Sequence, residues 1–500
     1  MGEAAASELT GADTAPGAAT RAGDRAARNT VVRALGEVVG KIATLVLFGV
    51  MTRDLGQDGV GVFVFASAFL LVALMPVDLG FDNWLVREVA RDRTVVGRVF
   101  WDMVVLKCLI AVPVLTIAFA ALWPLGYGAT TRTTVFVLAS GFFLEAIART
   151  FWSVFMGFER SGLIAVYVIV QRVLGAVLGV AVLAAGYGVV AVALTYSVAA
   201  AVGLVVAALL LARRIGMPAL GFDRARWRPM TVASLPFAAQ DVMLSLLFRL
   251  DAVILSLMAV DAAVGRYGAA YRLFESTMFL TFALNGAFLP MFAYLGPDTQ
   301  PTLGAIFSRS VKFGVGLLMP CAVAFGTLAE PLARLFFGGG FLAAAAPLRI
   351  LAPAVVLLGL VTLTSSLLLS RERPGRVARV TALMVVLNVV LNIVLIPSLD
   401  DRGAAWAMLA TVAVFVLINM PLAAREVGGY SLVRMLAAPV LGGAAMAAVT
   451  LPLQDHLVPA ALAGLVAYGA AFALVERLVA PADFEFVRGM VGRRVRARSA

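Results

Sequence analysis

The sequence is poor in the side chains that carry most metal and redox chemistry, with two cysteines and one histidine in 500 residues. Cys108 and Cys321 fall in apolar segments, and their spacing matches no metal or redox motif. His456 stands in a short polar break, where an ordinary loop residue is expected. No Asp, Glu or His cluster has metal-ligand spacing, and no Ser or Cys has a nearby base. We therefore expect no metal, no cofactor and no enzyme activity.

Charged residues are also scarce, at 14% of the chain, whereas hydrophobic residues make up 62% and the mean hydropathy is +0.98. A soluble domain of this composition would present one continuous apolar surface to water. The sequence therefore predicts a protein that crosses a membrane many times. The segment GEVVGKI at 36–42 lacks the glycine spacing and the following Ser or Thr of an ATP-binding loop. Residues 1–28 have no apolar core, so we expect a disordered cytoplasmic tail and not a signal peptide.

About fourteen segments are long and apolar enough to span a bilayer, which needs about 20 residues each. The connections on one side of these segments carry 28 Arg and Lys residues, and those on the other side carry five. This bias predicts that both termini lie in the cytoplasm. The net charge of +11 follows from the same asymmetry and from anionic lipid at the inner face, so nucleic acid is not an expected partner.

The chain also repeats itself in order. VGVFVFASAF from Val60 matches VGRYGAAYRLF from Val264, FERSG from Phe158 matches RERPG from Arg371, and GVVAVALTYSV from Gly188 matches GAAWAMLATVA from Gly403. Because six helices separate the copies, both halves insert with the same orientation. We expect an all-α membrane protein with two pseudo-symmetric six-helix lobes around a central cavity and two C-terminal accessory helices. The predicted divisions are 1–28 (tail), 29–212 (N-lobe), 213–229 (cytoplasmic linker), 230–424 (C-lobe), 425–480 (accessory helices) and 481–500 (basic tail).

The predicted seventh helix, Leu235–Val260, carries Asp241, Arg249 and Asp251 in its interior. A charge at the centre of a membrane helix costs roughly 2.5 to 3.5 kcal/mol, so such residues persist where they face water or each other. Arg249 and Asp251 project to opposite sides of Asp241, at about 80° each, which favours a helix that lines a central cavity. The alternative is a set of structural ion pairs with adjacent helices.

Ionisable residues recur at membrane depth in other predicted helices. Arg33, Glu37 and Lys41 follow at four-residue steps in the first helix and form a charged stripe on one face. For the paired residues, neutralisation within the helix is the structural alternative. The other expected cavity residues are Glu145 and Arg149 in the fourth helix, Arg172 in the fifth, Asp241, Arg249 and Asp251 in the seventh, and Arg272 and Glu275 in the eighth.

Four further polar residues have simpler interpretations. Lys107 in the third helix is expected to extend to the cytoplasmic surface. Arg172 has no acid in its own helix, so it is expected to face across the cavity. Asn388 and Asn392 are expected to form hydrogen bonds between helices.

The cations at membrane depth favour an anionic passenger. Arginine binds phosphate and pyrophosphate oxygens in a bidentate manner, and a lining of mixed acids and bases can hydrogen-bond sugar hydroxyls. A carrier of drug cations would need more acids than bases. The six cations are Arg33, Lys41, Arg149, Arg172, Arg249 and Arg272.

Several longer motifs resemble one known family. They are RALGEVVGKIATLVLFGVMTRDLGQDGVGVFVFASAF from Arg33, DLGFDNWLVREVARD from Asp78, LPFAAQDVMLSLLFRLDAVIL from Leu235, VGRYGAAYRLFE from Val264 and LNVVLNIVLIPSLDDRGAAWA from Leu387. The chain resembles the oligosaccharide flippases, which are the O-antigen and polysaccharide transporters of the superfamily that includes multidrug and toxin extrusion proteins and the lipid II flippase. The resemblance runs from about residue 28 to 424.

The resemblance implies a V-shaped cavity between two six-helix lobes, open to one side at a time. It implies a polyprenyl-pyrophosphate-linked oligosaccharide as substrate, within O-antigen, lipopolysaccharide or other polysaccharide biosynthesis, in the cytoplasmic (inner) membrane of a bacterium. The first-helix and seventh-helix charges named above map onto cavity-lining positions. Polysaccharide polymerase, glycosyltransferases and membrane lipid are the expected partners. The candidate residues for coupling to an ion gradient are Glu37, Asp241, Asp251 and Glu275. The working hypothesis for transport is that the gradient drives a rocking motion of the two lobes.

Two alternatives remain open at this point. One is a cation-coupled multidrug exporter of the same superfamily, and the other is a membrane scaffold of a polysaccharide assembly complex that transports nothing itself. A multidrug exporter should keep its activity when the arginine charges are removed, whereas a flippase should lose it. A scaffold should not transfer a labelled glycolipid between leaflets, whereas a flippase should.

Overall fold

The computed structural model describes residues 16–294, 300–371, 374–479 and 481. Within these ranges, the side chains of residues 16–31, 34, 239–241, 244, 300, 301 and 374 are outside the description. The predicted tails at 1–28 and 481–500 therefore fall largely outside the described residues. Helix α1 already begins at Pro16, inside the predicted N-terminal tail. Its first turns are rich in Ala and Arg, which favour helix.

The described backbone is helical and contains no strand. The helices are α1 (Pro16–Asp54), α2 (Gly56–Ala73), α3 (Met75–Asp78), α4 (Phe81–Arg91), α5 (Val96–Ala121), α6 (Ala129–Gly157), α7 (Gly162–Ala184), α8 (Val189–Arg214), α9 (Arg224–Met258), α10 (Asp261–Ser276), α11 (Met278–Tyr294), α12 (Gln300–Thr327), α13 (Ala329–Phe337), α14 (Ala345–Ser370), α15 (Pro374–Leu399), α16 (Asp401–Val427), α17 (Leu432–Thr450) and α18 (Leu457–Val479).

Thirteen stretches of the described chain are long and apolar enough to cross a membrane. Each matches one of the fourteen predicted spans. The remaining prediction, the seventh span, falls within α9, which includes side chains outside the description. The stretch that matches the eighth predicted span, Asp261–Tyr294, is built from two consecutive helices, α10 and α11. The prediction of an all-α, multi-pass membrane protein is confirmed.

The chain divides into two compact units, each described here by itself. The first contains residues up to Val50 and Phe69–Val242. Its core is organised by α4, whose apolar residues Phe81, Leu85 and Val89 recur every four positions and are fully buried. This face packs against buried side chains of the neighbouring helices, namely Phe100 and Met103 of α5, Phe151 and Phe155 of α6, Tyr167 of α7 and Leu211 of α8.

The second unit contains Met51–Ala68 and residues from Met243 onward. The end of α1 and the start of α2, which the sequence assigns to the N-lobe, therefore pack with the C-terminal helices. Helix α14 contacts α10, α11, α12 and α16 and carries buried residues along its whole length, from Ala345 to Leu368. The two C-terminal helices, α17 and α18, pack on each other, and α17 also packs on α12.

Two glycines of the repeated motif allow α2 and α10 to touch backbone to backbone within the second unit. A Cβ at Gly61 would lie 2.0 Å from the Asp261 carbonyl oxygen, and one at Gly265 would lie 2.2 Å from the Gln57 carbonyl oxygen. Real Cβ atoms do not approach carbonyl oxygens this closely, so glycine is required at both positions. Gly61 and Gly265 are the second residues of the matched motifs, which explains why both copies retain them.

Candidate functional site

The first cluster of predicted site residues lies within the first unit, where Glu145 of α6 meets α7 and α8. The Arg172 Nη2 atom lies 3.7 Å from Glu145 Oε1. Glu145 Oε2 accepts hydrogen bonds from Gln171 Nε2 at 3.2 Å and from the Tyr196 hydroxyl. Arg172 thus has an acid partner on a neighbouring helix of its own unit, so it does not need to reach across a cavity to be neutralised. Glu145 is held by three side chains from two helices.

A second set of contacts surrounds Lys107, for which the prediction was wrong. Its side chain is fully buried and does not extend to the surface. The ammonium nitrogen lies 2.9 Å from Asp78 Oδ1 and 2.7 Å from Asp82 Oδ1, and it donates to the Ala146 carbonyl oxygen at 3.1 Å. A buried ammonium is stable only with such partners. Arg149 Nε lies 3.8 Å from Asp82 Oδ2, so Arg149 pairs with this group and not with Glu145.

Sequence reasoning did not single out Asp78 and Asp82. Both stand in the motif DLGFDNW, four residues apart and on either side of Gly80. Gly80 has a φ of +73° and allows α4 to start against α9, where a Cβ would lie 2.4 Å from the Ala238 amide nitrogen. The signal available in the sequence was a pair of acids four residues apart at the end of an apolar segment.

The stripe on α1 lies next to α7. Arg33 Nη1 contacts the Met156 sulfur at 3.0 Å. Glu37 and Lys41 are half-buried. Gly40, between them, packs on α7, where a Cβ would lie 3.3 Å from Cγ of Arg172. The stripe therefore runs beside the arginine that pairs with Glu145.

The second unit contains its own charged cluster. Arg249 Nη2 lies 2.7 Å from Glu275 Oε1, and Arg272 Nη1 lies 3.3 Å from Glu275 Oε2. One carboxylate thus bridges two arginines from α9 and α10, so the pairing is both within a helix and between helices. The three side chains line a small open cavity together with Tyr271 and Ser67. All of these residues belong to the second unit.

Asp251 does not share this lining with Arg249. Its side chain is only 1% exposed, and its carboxylate accepts hydrogen bonds from the Tyr267 hydroxyl at 2.8 Å and from Asn392 Nδ2 at 2.9 Å. The reason is helical geometry, since two residues correspond to about 200° of rotation and place Asp251 on the opposite face from Arg249. Asn388 donates toward the Thr411 hydroxyl at 3.5 Å. The predicted interhelical role of both asparagines is confirmed.

Asp241 lies in α9, but its side chain is outside the described residues. Among the side chains that are described, no group of three or more His, Cys, Asp or Glu residues could hold a metal ion. The Asp251 carboxylate is held by two hydrogen-bond donors, the Tyr267 hydroxyl and the Asn392 amide N–H.

Comparisons with solved structures agree on the fold. The structure of the lipid II flippase MurJ in an inward closed conformation superposes with a TM-score of 0.67 at 12% identity, covering 89% of this chain and 99% of that one. An inward-facing multidrug resistance transporter of the MATE family in the MOP superfamily superposes with a TM-score of 0.62 at 15% identity, covering 79% of this chain and 94% of that one. The chain therefore has the all-α transporter fold of these proteins.

Sequence comparison gives the family. A probable low-salt glycan biosynthesis flippase, Agl15 of Haloferax volcanii, is 24% identical over 372 residues, which cover 73% of this chain and 77% of that protein. The family model described as polysaccharide biosynthesis protein matches residues 26–295, more than half of the chain. These residues include the α1 stripe, the Glu145 and Asp82 pairs and the Arg249–Glu275 cluster. The chain belongs to the polysaccharide biosynthesis protein family.

Proposed function

We propose that this protein is a flippase that moves a polyprenyl-pyrophosphate-linked oligosaccharide across the cytoplasmic membrane by alternating access, for cell-surface polysaccharide biosynthesis. Family membership and the similarity to a probable glycan biosynthesis flippase support this proposal. The charge bias of the connections supports cytoplasmic termini. The named relative is from Haloferax volcanii, so the proposal does not depend on a bacterial source.

The observation that carries the proposal is the partial exposure of arginines at membrane depth in each unit. The side chains of Arg172, Arg249 and Arg272 are 35%, 32% and 29% exposed. Each lies beside a carboxylate that fixes its position. An arginine held in this way loses little side-chain entropy on binding, and a partly exposed guanidinium group suits a pyrophosphate or a sugar hydroxyl.

The charge balance argues against an exporter of drug cations. In the second unit, the described residues that line the cavity include two arginines and one carboxylate, that of Glu275, which contacts both. A site for organic cations needs an excess of carboxylates or an aromatic cage. The lining favours an anionic or hydroxyl-rich passenger.

Asp251 is the residue that we propose for coupling to an ion gradient. It is buried, it accepts hydrogen bonds from Tyr267 and Asn392, and it lies on the face of α9 opposite to Arg249. A proton or a small cation at Asp251 would change the charge of α9 without occupying the substrate face. Rocking of the lobes driven in this way is the proposed transport cycle.

The test is leaflet transfer of a fluorescent polyprenyl-pyrophosphate sugar in liposomes that contain the purified protein. Arg172→Ala and Arg249→Ala should each reduce transfer at least tenfold, because each removes a charge-assisted contact. The matched control is Arg349→Ala, which removes an exposed arginine paired with Glu330 at 2.9 Å, outside the charged clusters. It should leave transfer unchanged.

Three results would count against the proposal. A scaffold gives no leaflet transfer by the unaltered protein. A multidrug exporter keeps its activity in both arginine variants and loses it in Asp241→Asn. Equal loss in the Arg349 control would show that the arginine effects are not specific to the clusters. Co-purification with polysaccharide polymerase or glycosyltransferases would support the proposed partners.

A further inference from the structure

A second basic site lies in the second unit, away from the charged clusters described above. It is a cavity of about 600 Å³ between the start of α12 and the turn that joins α16 to α17. Three cationic side chains line it, from Arg309, Lys312 and Arg434, and no described residue that lines it is acidic. Like charges around a cavity repel each other, so an anion bound among them would stabilise the arrangement.

The turn between α16 and α17 keeps this cavity open. Gly428 and Gly429 have φ values of +74° and +100°, which favour glycine, and a Cβ at Gly429 would meet nothing within 4 Å. Ser431 then caps α17, where its hydroxyl accepts a hydrogen bond from the Arg434 amide at 3.4 Å. The positive end of the α17 dipole therefore adjoins the cationic side chains.

An ion pair to a neighbouring helix fixes the position of Lys312. Lys312 Nζ lies 2.7 Å from Glu476 Oε1 of α18, and both side chains are about nine-tenths buried. This pair ties α12 to α18 and neutralises one positive charge. Arg309 and Arg434 add two more positive charges to the lining, together with the Ser308 and Ser431 hydroxyls. Such a set matches a phosphate group, which offers several acceptor oxygens.

The position in the membrane indicates where that phosphate would come from. The spans Thr302–Thr327 and Leu432–Thr450 begin at the cavity and Asp401–Val427 ends there, which places it at the level of lipid headgroups. Leu432 and Val433 are 51% and 69% exposed on the first turn of α17 and offer an apolar surface for an acyl chain. We propose that this cavity binds the phosphate group of an anionic membrane lipid.

The proposal does not depend on transport, so binding is the readout. The full-length protein is placed in phosphatidylcholine nanodiscs, and labelled phosphatidylglycerol is titrated in. Arg434→Ala should weaken phosphatidylglycerol binding about fivefold, and Arg309→Gln with Arg434→Ala about 25-fold, from the contribution of one basic residue near a membrane surface. Arg434→Lys, which keeps the charge, should retain most of the binding.

The matched control is Arg425→Ala, which removes an exposed arginine from the last turn of α16 but does not alter the lining. It should bind phosphatidylglycerol like the unaltered protein. If Arg425→Ala weakens phosphatidylglycerol binding as much as Arg434→Ala does, the proposal is overturned, because binding would then depend on the overall surface charge and not on this cavity. Equal affinity for phosphatidylcholine would overturn it as well.

Competitors identify the source of the phosphate. Displacement of phosphatidylglycerol by short-chain polyprenyl pyrophosphate, with the same sensitivity to Arg434→Ala, supports a site that recognises lipid phosphate whatever the chain. Displacement by inorganic phosphate at similar concentrations would overturn the lipid assignment in favour of a soluble anion. All variants are first checked by size-exclusion chromatography, and Arg434→Lys keeps the test decisive if the alanine variant does not fold.

Discussion

Replacing Lys107 with Met should destabilise the first unit by about 3 kcal/mol. The side chain is fully buried, and its nitrogen makes contacts of 2.7 Å, 2.9 Å and 3.1 Å with Asp82, Asp78 and the Ala146 carbonyl. Removing one partner of a buried ion pair costs about 3 to 5 kcal/mol, mainly because the remaining charge is left without compensation. The lower end applies here because Arg149 stays within 3.8 Å of Asp82 and the carboxylates are not fully buried.

A double-mutant cycle measures this effect directly. Asp82→Asn in the Lys107→Met background removes one of the uncompensated carboxylates and should restore about 1 to 2 kcal/mol, within the usual range of coupling between neighbours. The assay is equilibrium unfolding in detergent micelles, followed by tryptophan fluorescence. A loss below about 1 kcal/mol for Lys107→Met, the value of an exposed ion pair, would refute the reasoning. It would mean that the ammonium reaches water.

Two further predictions concern the second unit. Gly265→Ala should lower the free energy of unfolding by about 1 to 3 kcal/mol, because the new methyl group would meet the Gln57 carbonyl oxygen. The control is Gly286→Ala, where a Cβ meets nothing within 4 Å, and it should lower the free energy of unfolding by less than about 0.5 kcal/mol. Thermal unfolding compares the two variants, and equal shifts in melting temperature would contradict the close contact at Gly265. Asp251→Asn should keep the protein folded, because a carboxamide can still accept from Tyr267, but it should make leaflet transfer independent of an imposed ion gradient. If leaflet transfer by this variant still depends on the ion gradient, Asp251 does not couple transport to the gradient.

Hydropathy located the spans because it is a local property of the sequence. Helical rotation could also have separated Asp251 from Arg249, since two residues correspond to about 200°. The spacing of Arg272 and Glu275 is compatible with the ion pair within the helix, considered above as the structural alternative, which has an N–O distance of 3.3 Å. The additional bridge from Glu275 to Arg249 depends on how α9 packs on α10, which the spacing within either helix does not contain.

The ion pairs of Lys107 could not be predicted from the sequence, for a similar reason. Its partners Asp78 and Asp82 precede it by more than twenty residues, and their position depends on the amphipathic helix α4 folding back against α5 and α6. The sequence also assigns Met51–Ala68 to the N-lobe, whereas these residues pack with the second unit. The order of helices along the chain could not predict this packing, because the segment follows directly from α1.

The contact between α2 and α10 is reciprocal between the two copies of the repeated motif. Gln57 and Gly61 stand at the same repeat positions as Asp261 and Gly265, and each glycine faces the partner of the other. Such reciprocal contacts are the mark of a surface that binds itself across a twofold axis, as in symmetric dimers. A six-helix ancestor that paired with a second copy through this patch would have needed one glycine to satisfy both sides. In the present chain the two glycines are encoded separately, so a side chain at either position would disrupt the contact.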